Sequence, residues 1–599
     1  AVRAPFAAVV VQTAAKPGEH VAKAAPVVVL EAMKMEHVIG APAAGILTEA
    51  LVEVGASVGE GQVLARLDPD GSDAQGEVTE EELDLDRIRD DPAEVIERHR
   101  VGLDEARPEA VAKRRRTGQR TARENIADLV DDGSFAEHGA LAIAAQRQRR
   151  SMEDLIANTP ADGMVTGVGT INADRFGVDA SRCVVLSYDY TVLAGTQGYL
   201  NHKKTDRMLD IAERQQLPVV FFAEGGGGRP GDTDAPVASG LDVHTFTAMG
   251  RLSGQVPSIG IVSGRCFAGN AALLGCCDVI IGTRDATLGM GGPAMIEGGG
   301  LGVYRPEEVG PMSVQVPNGV VDVLVEDEAE AVDVARRYLS YFQGPVDDWE
   351  CADQRLLRFA LPENRVRVYD VRRVIELVAD TDSVLELRRE FGVGIVTALA
   401  RIEGRPVGLV ANDPTHLGGA IDTPAADKLA RFLQLCDAHG LPVLSLCDTP
   451  GFMVGPDAER TATVRHFSRL FVVGAHLQVP VVTVVLRKAY GLGAQAMAGG
   501  SFAGPAATLS WPTGEVGGMG LEGAVRLGFR KELEAVEDPA DQQALFDTLL
   551  AEMYERGKAV NAAALVKLDE VVEPAEARAR VLAARPARVE RSGRFVDTW

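Results

Sequence analysis

Lys34 lies in Glu-Ala-Met-Lys-Met-Glu (31–36), between the two halves of an internal repeat. Residues 4–31 superpose on 41–68 at an offset of 37, matching Ala4 with Ala41, Pro5 with Pro42, Gly18 with Gly55, Val21 with Val58, Leu30 with Leu67 and Glu31 with Asp68. Each half reads as short β-branched strands separated by Gly and Pro turns. Two such halves fold into a sandwich of two-fold character, and the joining segment becomes a hairpin at one end. The amine of Lys34 is then displayed at a tip, between Met33 and Met35, where an enzyme can modify it. A second chemistry needs no side chain. The segments CFAGNAALL (266–274) and AYGLGAQAM (489–497) each follow an apolar strand and open a helix. The first N–H groups of a helix have no internal partner and sit at its positive dipole end. Glycine lets a ligand approach them closely. Ala268 with Gly269, and Leu492 with Gly493, are therefore candidate donors to a developing oxyanion.

These turns belong to a second duplication. LPVVFFAEGGG (217–227) matches LPVLSLCDTPG (441–451) at an offset of 224, and 256–275 matches 479–499 at an offset of 223. Each copy reads strand, glycine turn, helix, strand, with nearly continuous apolar strands, which indicates α/β layering. The expected architecture is multidomain, a small all-β flattened sandwich followed by two α/β domains. The boundaries are 1–68 for the sandwich, 69–91 for an acidic tether with ten acids, then 92–350 and 351–599. One helix, 423–440, shows the logic: Thr423 as N-cap, Pro424 in the first turn, an apolar face of Leu429, Phe432, Leu433 and Cys436, and Gly440 as terminator.

Composition excludes several classes. A net charge of −25 argues against nucleic-acid binding. No apolar run approaches the roughly 18 residues that span a bilayer, and no secretory leader is visible. The seven cysteines form no CxxC pair, so neither a metal site nor a disulfide framework is expected, and a reduced, cytoplasmic setting is. GGGGR (225–229) lacks the GK[ST] of a phosphate loop and reads as a bend, with Gly226 and Gly227 lining a cleft. Glu224 and Asp448 end equivalent strands and read as turn caps. KRRRTGQRTAR (113–123) holds six bases and no acid, either a solvated helix face or a phosphate-attracting rim.

The Lys34 motif with its repeat resembles the biotinyl carrier domain of biotin-dependent carboxylases, and the two methionines favour biotin over lipoate. Residues from about 110 to 590 are similar to the carboxyltransferase of acyl-CoA carboxylases. RTARENIADLVDDGSF (120–135), SYDYTVLAGTQG (187–198), both glycine turns, LCDTPGFMVG (446–455) and LSWPTGEVGGMG (509–520) carry that likeness. GMGGPAMIEGGGLGVYRPEEVGP (289–311) looks most like multidomain, single-chain acyl-CoA carboxylases, including those acting on long acyl chains. EGGGGRPGDTD (224–234) replaces the family's DSGGAR-type loop, and Gln495 stands where some relatives carry an acyl-selecting Asp.

The resemblance implies crotonase-type spiral folds and a reaction. Carboxybiotin on Lys34 releases CO2, a biotin nitrogen takes the α-proton of an acyl-CoA, and the enolate captures CO2. The 266–274 turn would hold the enolate and the 489–497 turn the ureido oxygen of biotin. Lys203 and Lys204 would meet coenzyme A phosphates or face solvent. Charging biotin uses ATP, Mg and bicarbonate on a separate biotin carboxylase unit, and a biotin protein ligase attaches the cofactor. Similar enzymes form six-chain rings, trimers of dimers. A decarboxylase running the transfer backwards, or a non-catalytic carrier subunit, remains open at this point.

Overall fold

The computed structural model describes residues 1–71, 84–234, 242–584, 589 and 591–599. They form two compact units, Ala1–Ala93 and Glu94–Trp599. The acidic tether read at 69–91 falls mostly on 72–83, outside the described residues. Helix Asp90–Arg100 begins at its end.

In the first unit the repeat is exact in the bounds of three strand pairs. Ala8–Thr13, His20–Val21 and Pro26–Ala32 recur as Gly45–Ala50, Ser57–Val58 and Val63–Pro69, each displaced by 37 residues. His20–Val21 pairs with Gly45–Ala50, and Ser57–Val58 pairs with Ala8–Thr13, so each half lends a strand to the other's sheet. Two four-stranded sheets result. They close over Val10, Leu30, Leu47 and Leu64, all fully buried. Gly18 and Gly55 turn the chain at φ 89° and 90°, where an L side chain is strained.

The second unit holds two eight-stranded sheets. Parallel strands Arg182–Tyr188, Val219–Gly225, Ser258–Phe267 and Val279–Thr283 build the centre of the first. Arg405–Asn412, Val443–Thr449, Val481–Tyr490 and Ala507–Ser510 build the centre of the second. Both faces are covered by helices, and so these strands are apolar almost throughout. One strand in each sheet changes partner along its length. Ser258–Phe267 pairs with Val279–Thr283 and then Thr287–Gly289. Val481–Tyr490 pairs with Ala507–Ser510 and then Glu515–Gly517. This register equates Phe267 with Tyr490, hence Ala268 with Gly491 and Gly269 with Leu492.

Helix Thr423–His439 corrects two expectations. Its N-cap is Asp422, whose carboxylate accepts from the Ala425 amide at 3.1 Å, while the Thr423 hydroxyl bonds Thr461. Burial is not confined to one face. Lys428 and Arg431 are buried along with Leu429, Phe432 and Leu433. One apolar cluster, from Ala122 to Val596, includes residues of both sheets, and this helix runs through it. Among the described residues no helix is long and apolar enough to cross a membrane.

Two packing predictions follow from the glycines. Nothing lies within 4 Å of a Cβ placed on Gly18 or Gly55. Gly18→Ala and Gly55→Ala should therefore each cost about 1–2 kcal/mol of backbone strain, and equally. Hydrogen exchange across residues 1–71 reads this, and unequal losses would break the internal symmetry. A Cβ on Gly493 would lie 2.7 Å from the Gly451 backbone, whereas one on Gly226 meets nothing within 4 Å. Gly493→Ala should cost about 1–3 kcal/mol by overpacking. Gly226→Ala should stay within about 0.5 kcal/mol of the parent. Thermal unfolding of the full chain separates the two, and equal midpoints would refute the collision.

Candidate active site and carrier lysine

Strand Pro26–Ala32 pairs antiparallel with Met35–Gly40, with Ala32 opposite Met35. Met33 and Lys34 are thus the two central residues of the turn. Their φ values are 52° and 64°. Positive φ at both positions defines a type I′ hairpin, which Asn-Gly satisfies at least cost. A side chain at such an angle costs roughly 1–2 kcal/mol. The strand ladder behind the turn holds it there. Met33 is 99% exposed and Met35 65% exposed, and Lys34 lies exposed between them. An exposed primary amine on a rigid two-residue tip fits a covalently attached group.

The first glycine turn is built by backbone geometry. Ala268 has φ 54° and ψ −125°, an unusual conformation for a residue with a side chain. Its N–H donates to the Gly289 carbonyl at 3.2 Å, and its carbonyl accepts from Ala272 at 2.9 Å to start helix Gly269–Leu274. The helix supplies no partner for the Gly269 N–H. Asn270, fully buried, fixes what lies opposite. Its Nδ2 donates to the carbonyls of Glu224 at 2.8 Å and Gly195 at 3.1 Å, and its Oδ1 accepts from the Gly227 amide at 2.9 Å. The 224–234 loop is thereby stapled to the turn. A Cβ on Gly227 would lie 2.7 Å from that of Ala268 and 3.3 Å from the Gly269 nitrogen. The structure brings Gly227, Ala268 and Gly269 together, with Gly226 exposed beside them.

The carboxylates behind the turns are ion-paired, and Asp448 also accepts from the Lys488 amide at 3.1 Å. Glu224 meets the Arg114 guanidinium with two bonds of 2.7 Å. Burial pushes its carboxyl up to about 7, against the pull of Arg114. Asp448, fully buried, accepts from Tyr369 at 2.9 Å and pairs with Arg487 at 3.0 Å. Removing one partner from such a pair typically costs about 3–5 kcal/mol. Arg114 was not separable by sequence from its neighbours in KRRR, of which Arg115 is exposed and pairs with Glu124. Arg123 pairs with Glu137 at 2.9 Å. Arg229 of the GGGGR bend is likewise structural: it meets Asp162 at 2.5 Å and donates to the Thr196 carbonyl at 2.9 Å.

In the second turn Gly491 takes the positive φ, 60°, in the place of Ala268. Leu492 is 58% exposed, and Gln495, one turn along the same helix, is exposed with it. Gly493 points inward against Gly451 and Phe452, so its glycine is explained by packing. The amides equivalent to Ala268 and Gly269 are those of Gly491 and Leu492, one residue earlier than the pair read from sequence. Lys203 is exposed, its amine 4.6 Å from the Tyr199 ring centroid. Lys204 is engaged within the fold. Its Nζ donates to the Met164 carbonyl at 2.5 Å and the Ala161 carbonyl at 3.0 Å, and burial pushes the ammonium down to about 8. Two of its three N–H donors are thus spent on the backbone of 161–164.

Known proteins resemble this chain in sequence and in fold. Residues 113–598 match the carboxyl transferase domain family, and residues 1–67 match the biotin-requiring enzyme family. The methylmalonyl-CoA carboxyltransferase 12S subunit of Propionibacterium freudenreichii subsp. shermanii is 34% identical over 497 residues, covering 79% of this chain and 89% of that one. The transcarboxylase 12S crystal structure, a hexamer with methylmalonyl-coenzyme A and methylmalonic acid bound, aligns with a TM-score of 0.72 at 31% identity, over 86% of this chain and 100% of that one. A single-chain, multi-domain long-chain acyl-CoA carboxylase aligns with a TM-score of 0.80 at 59% identity over 98% of this chain. The chain spans 56% of that protein's length. The chain therefore belongs to the carboxyl transferase family of biotin-dependent enzymes, with a biotinyl domain ahead of two α/β halves of crotonase-like fold.

Proposed function

We propose that the chain moves a carboxyl group from biotin on Lys34 to the α-carbon of an acyl-CoA, forming a malonyl-CoA-type product. What carries this reading is the presence, in one chain of this family, of a displayed lysine and two equivalent helix-opening turns. Biotin in amide linkage to Lys34 supplies a transferable carboxyl group and a nitrogen basic enough to take the α-proton. The Gly269 N–H holds the thioester oxygen as negative charge develops on it, aided by the positive end of its helix. The N–H groups of Gly491 and Leu492 hold the ureido oxygen of biotin. Glu224 and Asp448, locked in ion pairs, are not free bases. In this reading 1–68 is the carrier, 69–91 the linker, and 92–350 and 351–599 the two transferase domains.

The exposed apolar side chains Met290, Met295, Leu301 and Val303 follow Gly289, the acceptor of the Ala268 amide. They support a long acyl chain as the preferred acceptor, with Gln495 contributing to the choice from the second turn. A biotin carboxylase and a biotin protein ligase are the partners. A six-chain assembly would set the first turn of one chain against the second turn of another, since the duplicated halves are equivalent about a two-fold axis.

A panel of acyl-CoAs, with a biotin carboxylase present, tests the function, and no transfer to any of them would end it. Lys34→Ala should abolish both avidin binding and transfer. Retained avidin binding would place the cofactor elsewhere. Leu492→Pro should lower transfer roughly 10²–10³-fold by deleting one donor. The first turn of a helix tolerates proline, so circular dichroism, assembly size and Lys34 biotinylation should hold. Near-parental transfer in a folded Leu492→Pro chain would remove that amide from the site. If sites are shared between chains, mixing Gly269→Pro and Leu492→Pro chains should restore part of the activity. No recovery after verified subunit exchange would argue for sites within single chains.

A further inference from the structure

We infer that the side-chain amide of Gln197 is a second donor to the substrate oxygen at the first glycine turn, an assignment that rests on the carboxyl-transfer reading above. Of the two amides in that turn, Ala268's already donates to Gly289 at 3.2 Å. One backbone donor, Gly269's, is left where an enolate would need more than one. Gln197 stands beside it. A Cβ on Gly269 would lie 2.1 Å from Gln197 Oε1. That Cβ and the amide nitrogen are bonded to one α-carbon, so the Gln197 amide lies within a few ångströms of the Gly269 nitrogen.

The rest of Gln197 is held rigidly. Its backbone bridges to Gly228, its N–H donates to Gly227 at 2.8 Å, and its carbonyl accepts from Arg229 at 2.8 Å. The residue is 4% exposed, and its Nε2 lies 3.0 Å from the Tyr188 hydroxyl. Tyr188 is itself buried, edge-on against Phe221. A phenol both donates and accepts. Turning the amide over keeps the Tyr188 bond, now donated by the phenol to Oε1, and presents the NH2 at Gly269. Negative charge at the turn selects that orientation.

The duplication separates chemistry from structure. Ile421 occupies the equivalent place in the second half. It makes the same bridge, to Phe452, and the same pair of backbone bonds, to Gly451 at 3.1 Å and from Met453 at 2.9 Å. Asn412 stands where Tyr188 does and accepts from the Asp448 amide at 3.0 Å. The fold therefore carries an aliphatic side chain at this position without loss of its framework. The polar pair Gln197–Tyr188 occurs only at the turn assigned to the enolate, where full negative charge develops.

Gln197→Ile tests this with the residue the fold already uses. The assembled, biotinylated chain is assayed for kcat and KM with an acyl-CoA acceptor. Exchange of the acyl-CoA α-proton with solvent is measured alongside. Loss of one oxyanion donor should lower kcat about 10²-fold or more. KM should move less than about threefold, because the interaction is made in the transition state. Proton exchange should fall with kcat, while thermal midpoint and assembly stay at parental values. Tyr188→Phe, which frees the amide without removing it, should lose less. A kcat within about threefold of the parent, or a loss that merely follows a lowered thermal midpoint, would overturn the assignment. Absence of transfer by the parent chain would sink the carboxyl-transfer reading and this assignment with it.

Discussion

The proposed site would depend on main-chain N–H groups that two strand-to-helix turns leave without a helical partner. A buried donor without a partner costs about 1–3 kcal/mol. The surroundings have to offset that cost and still leave the donor open. Here a strand runs straight into a helix, and the residue between them takes a positive φ, 54° at Ala268 and 60° at Gly491. That angle swings the next amide out of the sheet ladder before the helix can use it. Asn270 then closes three other backbone groups beside the turn, the Gly227 amide and the carbonyls of Gly195 and Glu224. Backbone donors set this way keep their geometry when side chains change, because the strand and helix determine it.

Two copies of one framework have diverged where chemistry would differ. At the place of Asn270 in the first half, the second has Gly493, and the backbone of Gly451 moves in to fill the space. The strand-end carboxylate is kept in both. Its cation comes from an upstream helix in one case, Arg114, and from the neighbouring strand in the other, Arg487. Gly264, the equivalent of Arg487, explains the difference: a Cβ there would meet Glu224 at 2.7 Å and Gln119 at 2.4 Å. The charge balance at each strand end is preserved although no residue of the cation pair is.

Periodic and repeated features were legible in the sequence because they are local. The 37-residue offset reappears in the bounds of three strand pairs, since each half uses the same turn glycine and the same alternation. The α/β halves were legible from apolar strands followed by glycine turns. Contacts made at long range were not. Arg114 looks like its neighbours, and its burial depends on Glu224, a hundred and more residues away. Lys204 reads as one of three bases on a helix, and only the path of the chain at Ala161 and Met164 turns it inward. The Asp422 cap was hidden by Thr423 and Pro424, which satisfy the same rule one residue later. The one-residue difference at Gly493 has the same origin: two glycines flank Leu492, and strand register alone tells which one is equivalent to Ala268.

The Lys34 hairpin shows the opposite balance, with local preference overridden. Glycine or asparagine would relax both turn positions, yet methionine and lysine occupy them at φ 52° and 64°. A loop of three to five residues would also allow ordinary angles. It would be broader at the tip and would give the lysine a wider range of directions. The two-residue turn keeps the tip as narrow as a hairpin allows and fixes the backbone at Lys34. Ordering a long side chain forfeits roughly 2 kcal/mol of rotamer freedom, so a carrier that must enter a recess gains most when its backbone is fixed beforehand. The strain at Met33 and Lys34 is then a local cost borne by the strand ladder, and it leaves a lysine whose backbone is set before anything is attached to it.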